Sequence, residues 1–198
     1  MHQSLLYKRS PYFAAATKEH WKEGQEHRIP LPDDSSLAVG LYVQWIYAGK
    51  IFSRTSKEEA DDKSSCDEQT LLVDAFVFGE KVQDGHFKDA IVDSILASIN
   101  VPGKDGTLRY LGGQIVDRAY EGTPEGSLLR MLMVDIYVKH GSRGWLYKIS
   151  NIDFVKDLAG DLYIDRRFSP RLDTIGPKRK NCQYHQHGKE KPCYNRTM

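Results

Sequence analysis

Residues 71–99, LLVDAFVFGEKVQDGHFKDAIVDSILASI, decide the fold that we predict for this chain. Apolar residues recur in this stretch every three to four positions, which is the spacing of one face of an α-helix. The two apolar stripes run through Leu71, Leu72, Ala75, Phe76, Gly79 and Val82 and then, from about Gly85, through Phe87, Ala90, Ile91, Ile95, Leu96 and Ile99. Very little sequence of weak pattern separates the stripes, so they predict a tight helical hairpin whose apolar faces form the core.

A third apolar helix is predicted ahead of this hairpin. Its stripe consists of Leu37, Leu41, Tyr42, Trp45 and Ile46. The polar run at 33–36 offers side chains that cap a helix N-terminus, and Gly49 suits the left-handed residue that follows a helix. Residues 28–32, RIPLP, are predicted to be extended, with prolines that exclude a central strand. Residues 53–65, SRTSKEEADDKSS, contain no large apolar residue and predict a surface loop, and the Ser-x-x-Glu pattern at 65–68 resembles a capping box that would end it.

Three more helical segments are predicted after the hairpin. The first is short and covers roughly 113–120. The second opens at Thr123-Pro124, a cap residue followed by a proline in the first turn, and ends at Gly141. The third starts near Asn151, and its stripe consists of Phe154, Val155, Leu158 and Leu162. Beyond Asp165 the periodicity disappears, so the body of the protein is predicted to be mostly helical.

The charge of the chain is balanced in total but unevenly distributed. The 198 residues contain 28 Lys and Arg against 27 Asp and Glu, yet nine of the basic and only two of the acidic residues lie at 166–198. A mildly acidic body therefore precedes a basic tail. The sequence has no run of 18 apolar residues and no secretory signal pattern, and it has only three cysteines. We therefore expect an intracellular protein, in the cytoplasm and/or nucleus, without membrane spans or a disulfide framework.

Four short patterns occur in a fixed order over the first hundred residues. Residues 2–13 contain His-x-x-x-Leu followed by Arg-Ser-Pro-Tyr-Phe, and residues 29–33 contain Ile-x-Leu-x-Asp. Residues 45–51 read WIYAGKI, and residues 75–81 read AFVFGEK. In order and spacing these segments resemble the BTB/POZ domain, and the chain as a whole resembles the BTB-domain proteins of fungi.

The resemblance implies an α+β fold that is mostly α, a BTB/POZ-like helical cluster with a small residual sheet and additional C-terminal helices. BTB domains usually begin with a β-hairpin ahead of the segment that residues 2–13 match, and this sequence starts at that segment. We expect either an N-terminal truncation, which we favour, or a sheet edge left open for another chain. The predicted division is residues 1–100, a BTB/POZ-like domain lacking the first β-hairpin; residues 101–165, a helical extension; and residues 166–198, a basic tail containing cysteine and histidine.

The resemblance also implies a partner-binding site at Trp21 and Glu23. In BTB adaptors of cullin-type ubiquitin ligases, a large apolar residue, any residue and a glutamate contact the cullin in this segment. Trp21 would be the apolar anchor and Glu23 the polar contact, since an exposed tryptophan buries a large area in a partner pocket. The alternative is that Trp21 packs onto the helices of its own domain.

The strongest chemical signal lies in the tail, at Cys182, His185, His187 and Cys193. Two thiolates and two imidazoles make a tetrahedral Zn²⁺ ligand set, and the spacing permits one loop to wrap an ion. His185 and His187 would point to the same side of an extended segment. The alternative is a solvated basic tail in which these residues are incidental. Fungal BTB proteins often end in a sequence similar to residues 182–187, CQYHQH, which implies a family feature.

No catalytic motif accompanies these features. The sequence contains no Gly-x-Ser-x-Gly, no His-Glu-x-x-His and no phosphate-binding Gly-Lys-Ser/Thr pattern. An enzyme would have to use the tail site with an open metal position and a base such as Glu190. We therefore predict a non-enzymatic protein–protein interaction module, without a small-molecule substrate, that self-associates or serves as an adaptor, for example on a cullin scaffold. The alternative is a nuclear regulatory factor whose basic Cys/His tail, with Lys178, Arg179 and Lys180, binds zinc and nucleic acid, although its few aromatic residues make nucleic acid the weaker expectation.

Overall fold

The computed structural model describes residues 3–18, 22–26, 28–53, 62–103, 105–163, 182–187 and 193. Within these ranges the protein is mostly helical, as predicted, and contains no strand. The helices in chain order are α1 (Gln3–Arg9), α2 (Pro11–Ala16), α3 (Lys22–Glu26), α4 (Ser36–Ala48), α5 (Asp62–Val82), α6 (Gly85–Ile99), α7 (Gly113–Gly122), α8 (Leu128–His140), α9 (Arg143–Leu146) and α10 (Ile152–Tyr163). A short 3₁₀ turn, Cys182–Tyr184, lies in the C-terminal part. None of the helices in the described ranges is long and apolar enough to cross a membrane.

The predicted helical hairpin is the centre of the fold. Helices α5 and α6 pack along each other. Phe76 of α5 and Phe87 of α6 are both fully buried in the core. The turn needs a left-handed residue, Gln83 with φ 59°, before Asp84 caps α6 by accepting the Phe87 backbone N–H at 3.0 Å. Asp84 also accepts the hydroxyl of the buried Tyr42 at 3.2 Å, so the cap fixes α4 against the hairpin as well.

Helices α1, α2 and α4 cover one side of the hairpin. Ser10 caps α2, and its hydroxyl donates to the carbonyl of Val82 at the end of α5 over 2.6 Å. Trp45 of α4 is fully buried, with its ring centroid 6.1 Å from that of Phe87. Helix α4 begins after the cap Ser35 and ends at Gly49 with φ 63°, which confirms the predicted caps.

The predicted small sheet is not seen in the described part of the chain. Residues 28–31 have no regular secondary structure, although Ile29 and Leu31 are partly buried against the core. Pro30 and Pro32 have no backbone N–H to donate to a neighbouring strand, so this segment packs by its side chains without a ladder.

Two helices begin at positions that differ from the prediction. Helix α5 starts at Asp62, inside the segment 53–65 that was predicted to be a loop, and Ser53 donates to Glu68 of α5 at 2.7 Å. Helix α8 starts at Leu128 rather than at Thr123-Pro124. The reason is that the Thr123 hydroxyl donates back to the Ala119 carbonyl at 2.6 Å and so closes α7 instead of capping α8.

The C-terminal helices pack onto the hairpin through α7. Helix α7 contacts α5, and α10 contacts α7 and α8. Phe154 of α10 is fully buried beside Tyr137 and Tyr120, whose ring centroids lie 5.0 Å and 5.4 Å away. Only half of the predicted α10 stripe is buried, because Val155 and Leu162 are exposed.

Candidate metal centre

The structure brings together the four residues that the sequence singled out in the tail. One ligand atom each of Cys182, His185, His187 and Cys193 lies within 4.8 Å of the other three, so the group could hold a metal ion. The Cys193 Sγ and His185 Nδ1 atoms are 3.5 Å apart. In a tetrahedral zinc site with bonds of about 2.0–2.3 Å, neighbouring ligand atoms are separated by about 3.3–3.8 Å, so this pair already has the spacing of one tetrahedral edge.

A turn, and not an extended segment, makes the histidines converge. Residues 182–184 form the 3₁₀ turn, and the His185 backbone N–H donates to the Cys182 carbonyl at 3.1 Å. The chain bends again at 185–187, and the rings of His185 and His187 lie with their centroids 5.4 Å apart at 73°. The predicted extended geometry was therefore wrong in detail, since a tight turn brings residues at this spacing together as well.

The segment that carries these residues is docked on helices α6 and α8. Tyr184 is fully buried, and its hydroxyl donates to the buried carboxylate of Asp135 in α8 at 2.9 Å. The Gln186 backbone N–H donates to Asp89 of α6 at 2.5 Å. Lys88 of α6 lies 3.4 Å from the Gln186 side-chain oxygen. Residues 182–187 are therefore docked on the folded body and are not a solvated tail.

His185 occupies the centre of this arrangement. Its ring is almost completely buried, and its Nε2 atom lies 3.0 Å from Asp93 Oδ1 on α6. Burial alone would lower the pKa of His185, but hydrogen bonding and charge attraction from Asp93, with a contribution from Asp89, raise it above its ordinary value. The two ring nitrogens thus face different groups: Nε2 faces a carboxylate and Nδ1 faces a thiol.

Burial makes the Cys182 thiol and the Asp89 carboxyl harder to ionise in the metal-free protein, because it raises the pKa of both groups. Burial raises the pKa of the Cys182 thiol, and the neighbouring Cys193 raises it further because two adjacent thiolates repel each other. Burial also raises the pKa of Asp89, against the opposing effect of the Gln186 N–H. In the part of the chain that the structure describes, the second carboxylate oxygen of Asp89 is buried without a hydrogen-bond partner. A bound divalent cation would favour the thiolate form of both cysteines.

The remaining predicted site residues are only partly described. Glu23 lies in the short helix α3 and is half-buried, while Trp21 lies outside the described residues. The basic residues at 178–180 and Glu190 also lie outside them. Cys66 is exposed in α5 and has no place in the Cys/His cluster.

Sequence reasoning missed the acidic residues that hold the segment. Asp89 and Asp93 are one helical turn apart on α6, a spacing that places them on one face. In the sequence they form an acidic pair in an amphipathic helix, and such a pair is equally typical of an ordinary solvent-facing stripe. Asp135 gives a clearer signal, because it is a single carboxylate within the apolar run 131–138, and it is fully buried in the structure.

Comparison of the chain with protein-family models, with curated proteins and with solved structures finds no match.

Proposed function

We propose that this chain is a non-catalytic protein-interaction module of the BTB/POZ type, in which a Zn²⁺ ion fastens the Cys/His segment to the helical body. The interaction module is supported by the way the segments that resemble BTB/POZ patterns contact one another. The zinc ion is supported by the convergence of Cys182, His185, His187 and Cys193 on a docked segment.

The residues that carry the BTB/POZ resemblance serve the core. Ser10 and Phe13 of the first pattern, Trp45 of the third and Phe76 of the fourth are all buried. Ser10 joins the first pattern to the end of α5 through its 2.6 Å hydrogen bond to Val82. These contacts place residues of three of the four patterns in one core, as a BTB/POZ-like helical cluster would require.

The surface beside α4 supports an interaction role. Leu37 and Tyr47 on α4 and Phe52 just after it are 69%, 51% and 58% exposed. Helix α4 contains no charged residue along its 13 positions. Exposed large apolar side chains along an uncharged helix offer another protein apolar surface to bury. We infer that the partner is a second copy of the chain or a scaffold such as a cullin.

The composition of the cluster favours Zn²⁺ and a structural role. Two cysteines and two histidines are the borderline-soft donors that zinc prefers, and harder cations such as Mg²⁺ prefer oxygen. Four protein ligands fill a tetrahedral shell, whereas catalytic zinc sites keep one position for water or substrate. Held in this way, the ion would supply stability to the segment, and the chain would act without catalysis at this site.

The metal proposal is tested by elemental analysis of the purified chain and its cysteine variants. We expect one zinc ion per chain in the parent protein and in Cys66→Ser, whose thiol is exposed and outside the cluster. Cys182→Ser should lose most of the bound zinc. Chelation of the parent protein should increase hydrogen exchange at 182–187 and leave α5 and α6 protected. Parent protein purified under reducing conditions that contains no metal, and that binds none when Zn²⁺ is added, would refute the zinc site.

The adaptor proposal is tested by cullin pull-down. Trp21→Ala and Glu23→Ala should each weaken binding, because they remove the apolar anchor and its polar neighbour. Lys22→Ala is the matched control, since the Lys22 side chain is 79% exposed and lies between the two positions. If no cullin is captured by the parent chain, a second copy becomes the partner to test, by sedimentation with Leu37→Lys as the disrupting variant.

A further inference from the structure

We infer that Asp93 is a positioning residue of the metal centre, which holds the Nε2–H of His185 so that Nδ1 is the atom that binds the ion. This inference rests on the proposed zinc site and goes beyond it, because it names the ligating atom and a residue outside the Cys₂His₂ set that controls affinity. Neither the residue nor the atom follows from the ligand spacing in the sequence.

The geometry assigns different tasks to the two nitrogens of His185. Nε2 lies 3.0 Å from Asp93 Oδ1, a hydrogen-bond distance, and Nδ1 lies 3.5 Å from Cys193 Sγ within the ligand group. A neutral imidazole carries a proton on only one nitrogen. A carboxylate accepts and does not donate, so the proton belongs on Nε2, and the lone pair of Nδ1 then faces the other ligands.

The surroundings of the pair hold it in place. The side chain of His185 is 2% exposed and that of Asp93 is 30% exposed, so the ring has little freedom to turn away from the carboxylate. One helical turn earlier, Asp89 accepts the backbone N–H of Gln186, the residue between the two histidines. Helix α6 thus orients the His185 ring with one carboxylate and the adjacent backbone with another.

The contact to α6 also has a chemical consequence for the ion. A carboxylate hydrogen-bonded to a metal-bound imidazole fixes the ring orientation and makes the ligating nitrogen more basic. Removing such a partner typically weakens metal binding about 10–100-fold. Tyr184 is the useful comparison, because its hydroxyl anchors the same segment to a carboxylate on a different helix, Asp135 of α8.

The experiment measures zinc affinity by competition with a chromophoric chelator and the ligating nitrogen by long-range ¹H–¹⁵N spectra of the histidines. In the zinc-bound parent chain we expect His185 to bind through Nδ1 and to keep a slowly exchanging proton on Nε2. Asp93→Ala should bind Zn²⁺ about 10–100-fold more weakly and lose the slow exchange. Asp93→Glu, which retains a carboxylate, should recover part of both. Tyr184→Phe should leave the Nδ1 coordination and the slow Nε2 exchange unchanged, whatever its effect on affinity.

The outcomes separate the two proposals. A parent chain that binds zinc through Nε2 of His185, or an Asp93→Ala variant with unchanged affinity and exchange, overturns the role of Asp93 and leaves the zinc site intact. A parent chain that binds no zinc refutes the centre itself. Far-UV circular dichroism of Asp93→Ala checks that the helices persist, and Asp93→Glu provides the same test if the alanine variant is unstable.

Discussion

The α5–α6 hairpin and the Cys/His segment at 182–187 are held to the protein by opposite means. The hairpin buries large apolar side chains such as Phe76 and Phe87 completely, and its stability comes from the area that it removes from water. The Cys/His segment buries the rings of Tyr184 and His185 and otherwise depends on hydrogen bonds to carboxylates and on a ligand cluster that it forms together with Cys193. We therefore expect the hairpin to stay folded with or without a bound metal ion, and the segment to be held less firmly when no ion is bound.

The largest expected effect is on the hairpin. Phe87→Ala should reduce the free energy of unfolding by about 3–5 kcal/mol. The substitution leaves a cavity beside Tyr42 and Trp45, and tightly packed neighbours relax only partly into such a cavity. The Phe87 ring centroid lies 4.9 Å from that of Tyr42, and the side chain is fully buried. Urea denaturation followed by circular dichroism measures the change.

Phe52→Ala is the control for this prediction. The Phe52 side chain is 58% exposed, so its loss should change the free energy of unfolding by less than about 0.5 kcal/mol. The difference between the two variants should be the same with and without chelator. A cost for Phe87→Ala that disappears on chelation would mean that the hairpin depends on the metal, and the comparison between the two regions would fail.

The Cys/His segment should respond to a smaller change. Tyr184→Phe removes the donor to the buried Asp135 carboxylate, and a lost buried hydrogen bond of this kind costs about 1–3 kcal/mol. We expect faster hydrogen exchange at 182–187 and a small shift in the melting of the helices. Tyr163→Phe is the control, since Tyr163 is 92% exposed at the end of α10. Equal exchange at 182–187 in both variants would show that the hydroxyl of Tyr184 does not hold the segment.

The sequence predicted what is decided locally. The bounds of α4 follow from its cap residues and apolar spacing, with Ser35 as the N-cap, and α6 starts at Gly85, where its apolar stripe was predicted to begin. The start of α8 was wrong because Thr123 carries a cap-type side chain that instead hydrogen-bonds back to Ala119. A hydroxyl can make either contact, and the sequence does not decide between them.

The sequence predicted which residues could bind a metal, but it did not predict where in the fold they would lie. Cys182, His185, His187 and Cys193 are near one another in sequence, so their residue types alone suggested a metal. Their anchors are about 50 to 100 residues away along the chain, on helices that the periodicity placed without specifying what docks on them. The BTB/POZ resemblance and the division at residues 100 and 165 remain predictions.

The smallest expected effect comes from replacing a single glycine by alanine at two places. Gly40 lies in α4, away from the Cys/His segment, and Gly79 lies in α5 beside Lys88, which contacts that segment. Gly40 lies in the middle of α4, and a Cβ added there meets no atom within 4 Å, so Gly40→Ala should stabilise the fold by about 0.5–1 kcal/mol through reduced chain entropy. Zinc affinity should stay unchanged, because the added methyl group meets open space on a helix that packs mainly on α5.

Gly79→Ala makes the same chemical change where the helix is crowded. A Cβ at Gly79 would lie 2.8 Å from Lys88 Cγ and 3.1 Å from Phe87 Cδ1, so one of these neighbours has to move. The Lys88 ammonium also lies 3.4 Å from the side-chain oxygen of Gln186, the residue between His185 and His187. Displacing Lys88 would therefore disturb the backbone that carries the two histidines. We expect Gly79→Ala to lose the stabilisation that Gly40→Ala gains and to weaken zinc binding, as measured by urea denaturation and chelator competition. If both alanines stabilise the fold alike and neither changes zinc affinity, the segment is not coupled to α6 through Lys88, and its attachment depends on the carboxylates and the ligand cluster alone.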